Sequence, residues 1–219
     1  MHDLPFEGRS VPGPAFRSER TDMSAEHTQV LEYMRKRRSS PTLIIAPPVP
    51  TQDQLQGLLE IAARVPDHGK LEPWRFIVIE QSEMAGIADR LNRRGLELGK
   101  AESLVGKAAE VFARANLIVA VVGSPDLEAK IPRIEQTLSA GAVCLSLLNA
   151  AIASGWAASW VTGFGAHDSQ FREEVFGLAS HEFIAGFVHI GTCASSPADR
   201  PRPDISAITQ WFNGSDVAG

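Results

Sequence analysis

The densest group of side chains able to do chemistry is Arg35-Lys36-Arg37-Arg38-Ser39-Ser40, a run of cations followed by hydroxyls. Guanidinium beside hydroxyl suits a phosphate, which takes bidentate charge plus further donors. The same bases equally suit the solvated end of a helix, where cations oppose the negative end of the dipole for about 0.3–1 kcal/mol. Composition leaves both readings open. The second unusual spot is Arg64-Val65-Pro66-Asp67-His68, followed by Glu72-Pro73-Trp74-Arg75-Phe76. A cation and a histidine emerge there between a helix and a strand, a common setting for a small-molecule site, while Trp74 is assigned to the core. Two more segments, from Trp156 to Gly163 and from Gly186 to Cys193, read as strands that end in small or hydroxylated residues. Glycine at a strand end permits close approach of the backbone to a ligand.

Other chemistries find no support. The histidines His2, His27, His68, His167, His181 and His189 show neither H-E-x-x-H nor an i, i+4 pair, so no metal is expected. There is no G-x-S-x-G elbow, and Ser139 and Ser146 fall in an apolar helical stretch. Gly163-Phe164-Gly165 is half of a dinucleotide fingerprint, but Asp168 stands where the third glycine is needed. Cys144 and Cys193 have no C-x-x-C spacing and make no disulfide framework. With 21 Lys+Arg against 26 Asp+Glu, the 219-residue chain has a charge of −5, which argues against a general nucleic-acid binder. No run approaches the ~18 consecutive apolar residues of a membrane helix. The start, Met1-His2-Asp3-Leu4-Pro5, lacks the basic and apolar regions of a secretory signal. A soluble cytoplasmic protein, with neither membrane nor nucleic acid as partner, is expected.

The elements that must position these groups follow from periodicity. Residues 1–28 carry scattered prolines and charges without an apolar period, and are expected to be a poorly ordered or draped extension to a domain spanning 29–219. Val30, Leu31, Tyr33 and Met34 predict a helix; Pro41, Pro47, Pro48 and Pro50 then predict an extended connection. Thr51 and Gln54 form a capping box ahead of Leu55, Leu58, Leu59 and Ala62, which lie on one face of a helix ended by Pro66. Arg75–Ile79 and Leu117–Val122 read as strands, and the stretch from Met84 to Ala113 as helix with breaks at Gly95 or Gly106. From Pro132 to Ser154 a long helix becomes apolar nearly all round at Ala140–Leu148. This predicts full burial, and more apolar surface than one sheet can cover. Strands follow at Trp156–Thr162 and Phe183–Ile190, with a short helix capped by Asp168 between them and an arm at Pro197–Pro203. Alternating helices and strands give a mixed α/β class with one covered sheet.

Taken together, the marked segments resemble the nitroreductase family of FMN-dependent oxidoreductases, specifically its YdjA-like branch. The resemblance rests on Arg37-Arg38-Ser39, Ala63-Arg64-Val65-Pro66-Asp67-His68, Pro73-Trp74, Arg133-x-Glu135-Gln136, Ser139-Ala140-Gly141, Trp160, Gly186-Phe187 and Gly191-Thr192. These occur in family order across Val30 to Cys193. The resemblance implies an α+β fold, a three-layer α-β-α sandwich whose central, mainly antiparallel sheet is covered by helices. It further implies an intertwined homodimer with FMN at the subunit interface. The implied activity is reduction of nitroaromatics, quinones or related acceptors with NAD(P)H, by ping-pong hydride transfer through FMN; the alternative is a flavin-binding protein of the same fold that sequesters or consumes flavin. By resemblance Arg37, Arg38 and Ser39 hold the FMN phosphate and ribityl chain, and Arg64 and His68 reach the flavin from the partner subunit. Trp160, Val161 and Thr162 line the isoalloxazine; Gly191, Thr192 and Cys193 close the phosphate side; Ala150 to Gly155 meets the nicotinamide. Hydride chemistry belongs to the cofactor, so no protein nucleophile or catalytic triad is expected. Two positions depart from the branch: Val161 replaces an Arg and Gly69 a Lys, which lowers the positive charge around the ring.

Overall fold

The structure, a computed structural model, describes residues 25–195 and 197–212. It divides into two units, Met1–Lys36 and Arg37–Gly219. The expected extension over residues 1–28 falls almost wholly outside the described residues. In the first unit, helix α1 (Ala25–Lys36) carries the exposed apolar side chains Val30, Leu31 and Met34. The helix stops at Lys36, so Arg37 and Arg38 lie beyond it rather than in its last turn.

The second unit begins its helices with α2 (Gln52–Ala62). Thr51 Oγ1 accepts from Gln54 N at 3.3 Å, and Gln54 Oε1 accepts from Thr51 N at 2.9 Å, completing the expected capping box. Strand β1 (Trp74–Glu80) leads into α3 (Gln81–Glu97) and α4 (Glu102–Ala113). The break between these helices falls at Gly99, not at Gly95 or Gly106. Gly99 has φ +66°, the left-handed conformation that closes a helix. Gly95 is instead the point where α3 packs on α4: a Cβ there would lie 2.6 Å from Val105.

Strand β2 (Leu117–Gly123), helix α5 (Arg133–Ala153), strand β3 (Ala157–Val161), the single turn α6 (Phe164–His167), helix α7 (Ser169–Phe176) and strand β4 (Phe183–Gly191) complete the unit. Asp168 caps α7 as expected, its Oδ1 accepting from Phe171 N at 2.8 Å, while Arg94 holds the same carboxylate from α3. The strands are ordered β1-β2-β4-β3, and every neighbouring pair is antiparallel. The class is therefore α+β with an antiparallel sheet, as the family resemblance implies; the alternation of helices and strands alone leaves the strand direction open. The connections explain it: paired helices, α3 with α4 and α6 with α7, return the chain to the edge it left, so the next strand runs back. Only α5 crosses alone, and the strands it joins, β2 and β3, are separated by β4.

One face of the sheet packs on α3, α4 and α7 around Met84, Leu91, Phe112, Phe171 and Phe187. The other packs on α2 and α5 around Leu58, Val119, Leu147 and Val188. Helix α5 is not buried all round. Val143, Cys144 and Leu147 are buried against the sheet, but Ile134, Leu138 and Leu145 are exposed at 62%, 65% and 46%. A helix lying on one sheet can bury only one face, so the remaining apolar stripe stays in the open. Among the described residues α5 alone is long and apolar enough to cross a membrane; its packing on the sheet is that of a core helix.

Candidate functional site

Beyond Lys36 the backbone is extended, and Ser40 N donates to Ala158 O at 3.0 Å. This fastens Ser40, just after the cations, to β3, an edge strand of the sheet. Ala46 and Thr192 then exchange backbone hydrogen bonds of 2.8 Å, and Thr192 Oγ1 donates to the Pro47 carbonyl at 2.8 Å. Gly191 is required at this crossing, because a Cβ would sit 2.6 Å from Ala46 O. The segment 37–46 thus draws Arg37, Arg38 and Ser39 to the side of the sheet that holds β3 and residues 191–193. Arg37 Nη1 lies 3.5 Å from Ser39 Oγ. Arg38 Nε donates to Ala198 O at 3.1 Å, with the Asp199 carboxylate 3.8 Å away, so the expected arm is seated on this cation. Cys193 Sγ donates to Ser195 O at 2.9 Å, a local contact within its own turn.

At the end of β3 the side chains alternate. Trp160 lies on the α5 side, and its Nε1 donates to Ala185 O at 3.3 Å. Two local features make room for it. A bulge between Val121 and Val122 of β2 opposes Gly186 and Ile184 and leaves Ala185 over, and Gly186 has no Cβ, which would meet the indole nitrogen at 1.9 Å. Val161 takes the opposite face and, with Thr162, lines a cavity of about 170 Å³ closed by Thr42, Ala108, Val111 and Phe112. The cavity is mostly apolar and suits a flat aromatic group, while the cations at 37–38 suit an anion. The α4 residues of this wall escaped sequence reasoning. Ala108 and Val111, three apart, look like any amphipathic face until α4 is folded over the end of β3.

Arg64 and His68 occupy a different corner, in the loop between α2 and β1. Ser139 Oγ on α5 donates to Pro66 O at 2.8 Å, and Asp67 Oδ2 accepts from Glu72 N at 2.8 Å. Gly69, Lys70 and Glu72 have φ of +78°, +54° and +48°, a costly succession for non-glycine residues that the surrounding bonds hold in place. His68 Nδ1 is 2.7 Å from Glu135 Oε2 on the first turn of α5, and both side chains are exposed. The next residue, Gln136, is buried and bonds Asp126 N, Asp126 O and Ile131 O, fixing the loop that precedes α5. The side-chain hydrogen bonds described for the 64–72 loop run within it or to α5, not to residues 37–39, 160–162 or 191–193 of the same chain.

Electrostatics separates structural from available groups. Burial pushes the Cys144 thiol up to about 12, as expected of an inert core cysteine. The Arg75 guanidinium, bidentate at 2.7 and 2.9 Å, pulls the Glu182 carboxyl down to about 2. His189 is 2% exposed on β4, and burial lowers it to about 4. Among the described residues no cluster of three or more His, Cys, Asp or Glu is arranged to hold a metal ion.

Comparison with known proteins bears on the family and the fold. The family described as Nitroreductase family matches residues 34–192. A protein of Escherichia coli K12, YdjA, with a provisional NAD(P)H nitroreductase designation, is 35% identical over 162 residues, 74% of this chain and 87% of its own. A Haemophilus influenzae protein of the same designation is 36% identical over 146 residues, 66% and 79% of the two chains. Among solved structures, a nitroreductase-like family protein from Bacillus cereus superposes with a TM-score of 0.69 at 20% identity, covering 84% of this chain and 96% of its own. A nitroreductase with bound FMN from Bacteroides fragilis gives 0.66 at 18% identity, covering 84% and 99%.

Proposed function

This chain belongs to the nitroreductase family of oxidoreductases, and on that premise we propose that it is an FMN-dependent enzyme that uses NAD(P)H to reduce quinones, nitroaromatics or related acceptors. The observation that carries this reading is the bond from Ser40 to Ala158, which brings the segment holding Arg37, Arg38 and Ser39 to the edge strand β3, whose far end at Val161 lines an apolar cavity of about 170 Å³. The donor set fits a phosphate, and the cavity walls fit a flat ring. Arg37, Arg38 and Ser39 hold the phosphate and ribityl chain of FMN; Gly191, Thr192 and Cys193 close that side; Val161 and Thr162 border the ring in the cavity, whereas Trp160, on the other face of β3 against Ala185, does not line it. Bound FMN supplies the hydride chemistry. The chain's own groups bind it, orient it and compensate its charge.

The functional unit is a homodimer. The exposed Ile134, Leu138 and Leu145 stripe is the surface that a second copy covers, and an obligate interface of this kind exceeds about 2,000 Å². Its neighbour, the 64–72 loop, then brings Arg64 and His68 to the flavin of the other subunit, and Ala150 to Gly155 meets the nicotinamide. Val161 and Gly69 leave the ring with fewer cations than the branch provides, which disfavours the anionic hydroquinone and lowers the flavin potential. Cys144 and Cys193 are free thiols, consistent with a cytoplasmic setting.

The test is purification followed by turnover. The protein is expected to be yellow, to release FMN on heating and to oxidise NAD(P)H when a quinone is added. Colourless protein that takes up no FMN refutes the proposal. Bound FMN with no NAD(P)H oxidation supports the flavin-sequestering alternative instead.

A further inference from the structure

Glu135 is not among the residues assigned to flavin, yet it is the hydrogen-bond partner of His68. Its Oε2 takes Nδ1 at 2.7 Å, which leaves Nε2 of the same ring for another partner. Both members stand on backbone that is fixed nearby. Ser139 fastens the carbonyl of Pro66 two residues before His68, Asp67 closes on Glu72 N two residues before the loop ends, and Gln136 clamps the segment leading into α5. An exposed ion pair between flexible surfaces contributes little, because two side chains must be ordered for one contact. Here the backbones are already ordered by other bonds, so the contact settles one remaining variable, the direction of the imidazole. A ring nitrogen held by a carboxylate determines what the opposite nitrogen presents, as it does for histidines in metal sites.

We propose that Glu135 is a positioning residue: it orients His68 so that Nε2 meets the flavin bound by the partner subunit. This rests on the reading that His68 faces that flavin. Glu135 travels with His68 on the same chain, so the pair crosses the dimer interface as one preformed unit. Its effect is exerted only through the histidine.

The experiment compares His68→Ala, Glu135→Ala, Glu135→Gln and the His68→Ala, Glu135→Ala double variant, each as full-length protein stripped of flavin and titrated with FMN. The visible absorption and midpoint potential of the bound flavin are recorded with the dissociation constant. Loss of one hydrogen bond to the ring is expected to raise the dissociation constant roughly three- to tenfold in His68→Ala and to alter the spectrum. Glu135→Ala is expected to reproduce both changes, the double variant to add nothing, and Glu135→Gln, which still accepts from Nδ1–H, to keep the parent spectrum and potential. If His68→Ala changes the flavin and Glu135→Ala does not, or if their effects add, the positioning role is refuted while the reading of His68 stands. If His68→Ala leaves affinity, spectrum and potential unchanged, the reading of His68 fails and the inference falls with it.

Discussion

Replacing His189 tests how the core beneath β3 tolerates acid. The imidazole is 2% exposed, sits opposite Ser159 on β3 and Ile118 on β2, and packs edge-on to Phe112 with ring centroids 6.4 Å apart. Its Nε2 is buried with no hydrogen-bond partner among the described residues. An unsatisfied buried nitrogen costs about 1–3 kcal/mol, so His189→Leu, of similar volume, should leave stability at neutral pH equal or higher. The larger effect depends on pH. Burial lowers this histidine from 6.5 to about 4, so between these values the unfolded chain binds a proton that the folded chain does not. Folding is therefore weakened progressively as pH falls from 6.5 to 4, and the loss is complete below about 4. The gap corresponds to on the order of 3 kcal/mol. Urea unfolding of parent and His189→Leu at one protein concentration, at pH 7.5, 6, 5 and 4, measures it. The Arg75-paired Glu182, held near 2, contributes stability that is lost only from 4.5 downwards, and it does so equally in both proteins, so it cancels in the difference. The parent should lose about 3 kcal/mol relative to the variant across the series. A difference that stays constant with pH, within about 0.5 kcal/mol, would refute the assignment of a buried, uncharged His189.

Four other outcomes follow from the geometry. Arg37→Ala should weaken FMN roughly ten- to hundredfold while leaving riboflavin, which lacks the phosphate, nearly unaffected, and paired flavin titrations check this. Arg38→Ala should do the same and also free the arm at Ala198, so limited proteolysis between 197 and 203 should quicken in that variant alone. Gly186→Ala would place a Cβ 1.9 Å from Trp160 Nε1, so a loss of about 1–3 kcal/mol on thermal or urea unfolding is expected, with a red shift in tryptophan emission as the indole is displaced. Leu138→Glu, on the 65%-exposed stripe of α5, should spare the monomer fold and populate a 23.7 kDa species in sedimentation; an unchanged dimer would remove this face from the interface.

Local chemistry was legible in the sequence wherever one segment decided the outcome. The Thr51–Gln54 box, the Asp168 cap, the uncharged β2 and the inert Cys144 each depend on neighbours within a few residues or on plain apolarity, and each appears as expected. The order of the marked motifs, from Arg37 to Thr192, was enough to indicate the family, because such an order is a property of the string. The break between α3 and α4 was misplaced for a physical reason. Gly95 and Gly99 look alike in sequence, but one fills a gap too small for a Cβ and the other supplies a left-handed turn, and only the packing of α3 on α4 separates the two roles.

Strand direction shows the same limit on a larger scale. Alternation of helices and strands does not reveal whether helices cross singly or return in pairs, so it could not distinguish a parallel sheet from this antiparallel one. The candidate site depends still more on the fold. The sequence by itself supplied the residue types: arginines beside a serine, a histidine in a proline-bounded loop, glycines at strand ends. Tertiary structure decided their company. Ser40 on Ala158 brings the cations to the edge of β3, α4 closes the cavity at its end, and Ser139 with Glu135 fixes the loop that carries His68 on α5. It also decided that α5 buries one apolar face and leaves another open, because a helix can lay only one side on a sheet whatever its composition.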